Sequence, residues 1–484
     1  MSTVLQQPAT SDTSNISTRL AECLSLQRKA YLADPNPDFI RRKADLLALK
    51  RLVSENQEDM IAAISRDYGN RSRHETLIAE IIAVLDGINF ALRRLKRWMK
   101  PQRRHVDLTS FPGARNRVIP QPLGVVGVIV PWNFPLQLAL GGLTYIFAAG
   151  NRAMVKMSEN SNALAQLLIA LSPRYFPPEK LAFFAETGEV GIQFSQLPFD
   201  HLLFTGSGQT GRAVMASAAK NLTPVTLELG GKSPAVVAPD YPVKKAAERI
   251  LFAKLFNAGQ VCVNVDYVFV PENKVAEFVA AAKEYTSKHC LDIDSPDYTS
   301  IIDQRSFVRL QDALADASGK GATLVNLTSG NAANPELRKL APHIVLHANS
   351  DMVLLQREIF GPILPVLPYR DAKEVVQYIN RGERPLSFYP FTNDTKLQNW
   401  YLDHVMSGGV SVNEVMLHTT QHDLPFGGVG GSGMGHYHGP EGFITFSKLR
   451  PVFYQARFSM MKFLAPPYGK VAERLIRIML KLKS

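Results

Sequence analysis

Apolar and polar positions along this chain follow two periods, and the change comes near residue 120. From about residue 17 to 100, DLLALKRLVSENQEDMIAAISRD (45–67) and ETLIAEIIAVLDGINFALRRLKRWM (75–99) carry apolar residues at i, i+3, i+4 and i+7. That spacing predicts amphipathic helices. Pro101 ends the second, because its ring removes an N–H and clashes with the turn before it. Beyond 120 the pattern becomes short β-branched runs, GVVGVIVP, RAMVKM, LAFFAE, HLLFT and TPVTLEL, with the helical SNALAQLLIALSPRYF and RAVMASAAKN between them. Strand–helix–strand alternation predicts a parallel, doubly wound sheet. A second α/β stretch begins near Gly230 and includes AAERILFAKLF, VDYVFVP, VAEFVAAAKEYTSK, LPVLPYR and KEVVQYIN.

Residues 104–120 (RHVDLTSFPGARNRVIP) fit neither block, and their Pro/Gly-broken alternation reads as a projecting hairpin. The expected division is a polar, disordered lead-in over 1–16, a dinucleotide-binding domain over 17–103 and 121–229, and a catalytic domain over 230–412. Segments 104–120 and 413–484 remain as bridging, oligomerisation and C-terminal pieces. The longest nearly apolar run, Leu136 to Ala149, spans 14 residues. A membrane span needs about 20, so a buried helix is the better reading.

Composition adds constraints. The chain has 484 residues, 46% hydrophobic and 20% charged, which suits a globular protein of two or three domains. Its three cysteines, Cys23, Cys262 and Cys290, are too few for a disulfide framework, which points to a reducing cytosol. Lys and Arg number 54 against 43 acids, a net charge of +11. The excess gathers in LRRLKRWMKPQRR (92–104) and in the tail ERLIRIMLKLKS. Solvated helix faces explain it, since no nucleic-acid module or interleaved aromatics accompany the charge. In the tail, Ile476, Met479 and Leu480 share a face opposite Lys and Arg, a pattern that permits at most a weak membrane-surface contact.

Several residues carry possible chemistry. FTGSGQTG (204–211) is a GxGxxG between a strand and a helix. In a dinucleotide site an acid about 20 residues on holds the ribose. Glu228 stands 17 residues past Gly211, as a ribose ligand or as something else. Cys262, in FNAGQVCVNVDYVFV, is either an inert packing residue or a nucleophile at a helix–strand junction. The polarity of NAGQ favours a cleft over a core. Cys23 and Cys290 read as structural. Asn133, bracketed by Pro131 and Pro135, is a turn residue or an amide aimed at a developing oxyanion. Lys156, Ser158 and Glu159 end a strand, where Glu159 is a first-turn acid or, with Lys156, a ribose ligand. His418 and His422, with His436 and His438, do not read as metal ligands: the glycine-rich context is loop and no HExxH is present.

Six stretches occur in one order: PWNFP (131–135), VKMSE (155–159), FTGSGQTG (204–211), LELGGKSP (227–234), NAGQVC (257–262) and EIFGPILPV (358–366). Together they resemble the aldehyde dehydrogenase superfamily over nearly the whole chain. RPLSFYPFTND, SGGVSVNEVMLHTT and LPFGGVGGSGMGHYHGPEGFITFSK resemble its class 3, the fatty and aromatic aldehyde dehydrogenases, and most of all the coniferyl aldehyde dehydrogenase branch.

The resemblance implies a doubly wound cofactor domain, an α/β catalytic domain and a small bridging hairpin. It implies Cys262 as nucleophile, Asn133 with the Cys262 backbone N–H as oxyanion hole, and Glu228 as general base. Lys156 and Glu159 would hold the adenosine ribose, and Gly206 and Ser207 the pyrophosphate. Glu358 and Phe360 would flank the nicotinamide, with Ser158, Gly211 and Leu229 completing the cofactor set. Met157 departs from the proline of many relatives. The cofactor implied is NAD, with NADP possible, and the assembly a homodimer in which the hairpin extends the partner's sheet. Medium- or long-chain aliphatic aldehydes are the alternative substrates. CoA-acylating transfer and a non-catalytic binding protein are the rivals of another kind. Glu228 argues against the first, and the joint presence of Cys262, Asn133 and Glu228 against the second.

Overall fold

The computed structural model describes residues 11–289, 292–457 and 459–484. Cys290 and residues 1–10 lie outside them. The first helix, Ser11–Ala33, starts inside the segment expected to be a disordered lead-in. The correction has a packing cause: Leu20 and Leu24, one turn apart, are buried in a cluster with Val125, Phe194 and Leu202. Gln27 Nε2 adds hydrogen bonds to the carbonyls of Ala153 (2.9 Å) and Pro178 (3.0 Å).

The continuous helical pattern of 45–67 is two helices, Phe39–Ser54 and Gln57–Tyr68. Asn56 separates them, its Nδ2 donating to the Leu52 carbonyl at 2.8 Å. A short amide side chain that bonds nearby backbone competes with the helical ladder. The next helix runs from Arg73 to Trp98 and widens to π geometry over Leu77–Ile82. The basic residues Arg93, Arg94, Lys96 and Arg97 lie on its exposed side.

Five parallel strands form the first sheet, in the order Leu181–Phe184, Arg152–Lys156, Val125–Ile129, His201–Gly206 and Val225–Leu229. Strand order reverses between Val125–Ile129 and His201–Gly206, and doubly wound sheets bind ligands at the carboxyl ends beside such a switch. FTGSGQTG therefore follows the fourth strand, not the first, and Glu228 lies on the fifth. Leu136 to Ala149 is the buried helix expected of it, starting at Pro135.

The second sheet has seven strands: Thr323–Asn326, His343–Leu346, Ile363–Tyr369, Tyr267–Pro271, Pro234–Val237, Ser387–Phe391 and Gly409–Val410. Only the first pair is antiparallel. In a third sheet Gln102–Arg104 pairs with Arg115–Pro122, and Ser447–Tyr454 adds to it over eight residue pairs. The segment after 412 is not confined to this sheet. Gly433–Met434 returns to pair antiparallel with Leu227 and Glu228 on the edge of the first sheet. The last helix, Lys470–Lys483, leaves Ile476 and Leu480 exposed and Met479 half-buried. Lys483 Nζ is 2.6 Å from Asp107 Oδ2 of the hairpin. Among the described residues no helix is long and apolar enough to cross a membrane.

Candidate active site

A cavity of about 830 Å³ opens where the two large sheets meet. Asn133, Gly206, Ser207, Glu228, Leu229, Cys262, Glu358 and Phe360 all line it. Residues from 133 to 360 thus converge on one space. Lys156, Ser158 and Glu159 are not among its lining residues, nor is Gly211. They stand at the carboxyl end of the neighbouring strand, apart from Gly211, which has a packing role. A Cβ on Gly211 would come within 2.6 Å of Leu229, so the glycine lets the helix Gly208–Ala219 close onto the strand Val225–Leu229.

That helix begins at the cavity. Ser207 caps it, its Oγ accepting from Thr210 N at 3.3 Å, and Gly206, Ser207 and Gly208 bring backbone to the cavity wall. A helix N-terminus approached through glycines fits a pyrophosphate, since its N–H groups are unpaired and the dipole favours an anion. The residues present therefore fit a dinucleotide.

Cys262 lies between the helix Val243–Leu255 and the strand Tyr267–Pro271, half-buried and facing the cavity. NAGQ before it is buried, not the piece of cleft its polarity suggested. Asn257 and Gln260 are fully buried, and their amides are spent on structure. Asn257 Nδ2 donates to the carbonyls of Gln260 (3.0 Å) and Asn133 (3.3 Å), and Gln260 Nε2 to that of Ser300 (3.0 Å). Asn257, Ala258 and Gly259 have φ of 53°, 49° and 76°, a left-handed run that turns the chain toward Cys262. Three successive residues in that region are held only where surroundings over-determine them.

Charge in the site is shaped by burial. The Cys262 thiol is pushed up to about 12, first by burial and then by the carboxylates of Glu358 and Glu228. Glu228 is 2% exposed, and neither carboxyl oxygen makes a hydrogen bond of ordinary geometry, the Gly428 N–H lying nearby. Burial drives it well above the usual carboxylate range, with the Gly428 N–H acting the other way. Glu358 rises to about 8 through burial and the nearby Asp266. A Cβ on Gly230 would run into its carboxylate, so the first LELGG glycine makes room for it. Phe360 has φ of 50° and meets Trp132 edge-on, with centroids 5.3 Å apart. A thiol with two proton acceptors of raised basicity and a backbone amide beside it can add to a carbonyl and manage the protons that follow.

His418 and His438 are engaged in side-chain hydrogen bonds and packing. His418 bonds Ser387 Oγ (3.2 Å) and Ser411 Oγ (2.8 Å), and burial lowers it to about 4. His438 stacks on Phe426 and meets Tyr437 edge-on, also neutral near pH 7 because burial lowers it to about 3. Among the described residues no group of three His, Cys, Asp or Glu is placed to hold a metal ion.

The model of the Aldehyde dehydrogenase family matches residues 21–452. The chain belongs to this family. It is 50% identical over 459 residues, 95% of each chain, to a protein from Pseudomonas aeruginosa named probable coniferyl aldehyde dehydrogenase. It is 36% identical to aldehyde dehydrogenase family 3 member A2 of Pongo abelii, covering 88% of this chain and 86% of the other. A solved structure of Staphylococcus aureus AldH in a substrate-bound state superposes with a TM-score of 0.89 at 32% identity, over 95% and 99% of the two chains. The chain is an NAD(P)-dependent aldehyde dehydrogenase.

Several residues of this aldehyde dehydrogenase site escaped sequence reading. The Asn133 carbonyl accepts from Tyr68 Oη (2.9 Å) and Arg71 Nη1 (2.7 Å) as well as from Asn257. Arg71 Nη1 is also 3.1 Å from Glu80 Oε1, and both side chains are fully buried. Glu80 Oε2 takes the N–H groups of Leu136 (2.7 Å) and Gln137 (3.1 Å), the start of the helix that follows PWNFP. Glu80 lies in the π segment, and widened turns of this kind recur at functional sites. On the other wall, Lys232 joins Asp266 and the carbonyls of Leu354 (2.8 Å) and Arg357 (3.1 Å). Asp266 Oδ1 accepts from Ile359 N at 2.8 Å, and Arg309 Nη2 reaches the Ile359 carbonyl at 2.8 Å. The segment bearing Glu358 and Phe360 is thereby clamped. Hydrophobic periodicity and the short motifs carry no signal for either network, because both rest on contacts between residues far apart in the chain.

Proposed function

We propose that this aldehyde dehydrogenase oxidises coniferyl aldehyde or a related aromatic aldehyde to the acid, using NAD. The observation that carries the reading is the cavity around Cys262, whose apolar wall includes Trp132, Leu138, Phe360, Leu386 and Phe426. Flat rings and aliphatic side chains favour a flat, conjugated substrate through offset and edge-on contacts. The P. aeruginosa relative's name points the same way.

The residues divide the work as follows. Cys262 Sγ adds to the aldehyde carbon, and its proton passes to a carboxylate of raised basicity. Asn133, its backbone held by Tyr68, Arg71 and Asn257, offers its amide with the Cys262 N–H to the oxyanion. NAD, when bound, supplies the hydride acceptor. Collapse of the adduct leaves a thioester on Cys262. Glu228, buried and of raised basicity, removes a proton from the water that hydrolyses it. Gly206 and Ser207 hold the pyrophosphate, and Leu229 packs beneath it. Lys156, Ser158 and Glu159 receive the adenosine ribose. Glu358 and Phe360 flank the nicotinamide. Residues 17–103 and 121–229 would then form the cofactor domain and 230–412 the catalytic one. The three-stranded sheet would join two copies in a homodimer, and the protein would work in the cytoplasm. The basic tail contributes no more than a weak surface contact.

NADH production with coniferyl aldehyde, substituted benzaldehydes and medium-chain alkanals, each with and without CoA, tests the reading. The expected order of kcat/KM places the cinnamaldehydes first, with no dependence on CoA. Alkanals outpacing every aromatic aldehyde would reverse the substrate assignment, and dependence on CoA would reverse the reaction assignment.

A further inference from the structure

At the carboxyl end of the first sheet the strands Arg152–Lys156 and Leu181–Phe184 lie parallel, with Lys156 opposite Phe184. Two residues past Phe184 stands Glu186, which no sequence motif singled out. Its Oε2 is 2.6 Å from Lys156 Nζ, and the two side chains are only 8% and 12% exposed. Glu186 is not free to swing away. Its Oε1 accepts from Val190 N and its Oε2 from Gly191 N, each at 3.0 Å. Gly191 allows the close approach, since a Cβ there would lie 3.1 Å from Glu186 Oε2 and 3.3 Å from Lys156 Nζ. The loop between is bent through left-handed residues, Gly188 at φ 90° and Glu189 at φ 61°. Lys156 is thus neutralised by a fixed carboxylate, while Glu159, at the start of the 3-10 turn Glu159–Ser161, is exposed.

This arrangement bears on which cofactor fits. A ribose 2′-hydroxyl donates to carboxylates and is satisfied by them. A 2′-phosphate is a dianion that needs an uncommitted Arg or Lys. Here the lysine of the strand end is already paired, and a second acid, Glu159, follows it by three residues at the start of the next turn.

We propose that Glu186 sets the preference of this enzyme for NAD over NADP by neutralising Lys156 and holding a carboxylate beside the adenosine ribose. The inference rests on the assignment of Lys156 to that ribose. Glu186 acts through Lys156 and is a positioning and specificity residue, not a catalytic one.

The test measures dissociation constants for NAD and NADP, by quenching of tryptophan fluorescence, in the unaltered protein and in Glu186→Gln, Lys156→Ala and the double variant. Glutamine keeps an oxygen for one of the two loop N–H groups but releases the lysine charge. Glu186→Gln is expected to tighten NADP roughly tenfold while NAD changes by less than about threefold, with the gain falling away at high salt. Adding Lys156→Ala should erase the gain. An unchanged NADP-to-NAD ratio in Glu186→Gln overturns the proposal. If Lys156→Ala leaves both cofactors bound as before, the ribose assignment itself fails, and the two failures are told apart. Competition by ADP and 2′,5′-ADP needs no variant. ADP is expected to bind the unaltered protein more tightly, and equal or tighter binding of 2′,5′-ADP overturns the proposal.

Discussion

Burial does opposite things to the nucleophile and to the base. At Cys262 it raises the thiol to about 12, so the cofactor-free protein holds it protonated at neutral pH. Only the thiolate is alkylated. Iodoacetamide should therefore label Cys262 slowly at pH 7, with a rate rising about tenfold per pH unit over the alkaline range. Mass spectrometry of the Cys262 peptide reads this directly, and rapid labelling at pH 7 without cofactor would contradict it. At Glu228 the same burial raises a carboxyl well above its usual range, which makes it a stronger base once ionised. Because the ionised form removes the proton from water, turnover limited by thioester hydrolysis should climb as pH rises through that raised value. Glu228→Gln should still release a burst of NADH, then stall as the acyl-enzyme, with NAD affinity little altered. Loss of NAD affinity with normal turnover would return Glu228 to the ribose. The strand order already argues against that, because Lys156 and Glu159 end a strand three places away in the sheet.

The loops that carry these residues are fixed against one another. Gly259 sits with φ of 76° before Cys262, and a Cβ there would collide with the Gly361 carbonyl, just past Phe360. The loop of the nucleophile and the loop that flanks the nicotinamide are therefore in backbone contact. Gly259→Ala combines a disfavoured φ with this clash and should cost about 1–3 kcal/mol of stability. It should also lower kcat far more than a surface substitution of equal thermal effect. Thermal unfolding and steady-state kinetics on one preparation check both, and an unchanged kcat would show that the two loops move independently. At this scale the helices and strands were legible in the periodicity, while the breaks were not. Asn56 splits one continuous pattern, and the π turn around Glu80 leaves no trace in hydrophobic spacing. Both depend on where one side chain finds a hydrogen-bond partner.

In the whole molecule the C-terminal segment ties the parts together. Gly433 pairs with Glu228 across the edge of the first sheet, and Ser447–Tyr454 completes the sheet begun by residues 102–122. That small sheet ends in two open edges, Gln102–Arg104 and Ser447–Tyr454. Open edges invite strand pairing with another chain. Light scattering at micromolar concentration should give twice the chain mass of 53.6 kDa. A mass equal to one chain would leave the edges to be protected in some other way.

The sequence by itself determined the order of helices and strands, the doubly wound pattern and the residue types of the site. These follow from local periodicity and from short motifs whose chemistry needs no neighbour to be recognised. Tertiary structure alone decided what the residues became. Cys262 and Glu228 share a cavity because two sheets meet there, and Glu228 has a raised pKa because the fold buries it. NAGQ, polar enough to read as part of a cleft, is buried because Tyr68, Asn133 and Ser300 accept from its amide N–H groups. Glu186 became the partner of Lys156 through strand register. Burial, charge proximity and hydrogen-bond satisfaction are properties of the folded surroundings, and residues far apart in the chain supply them.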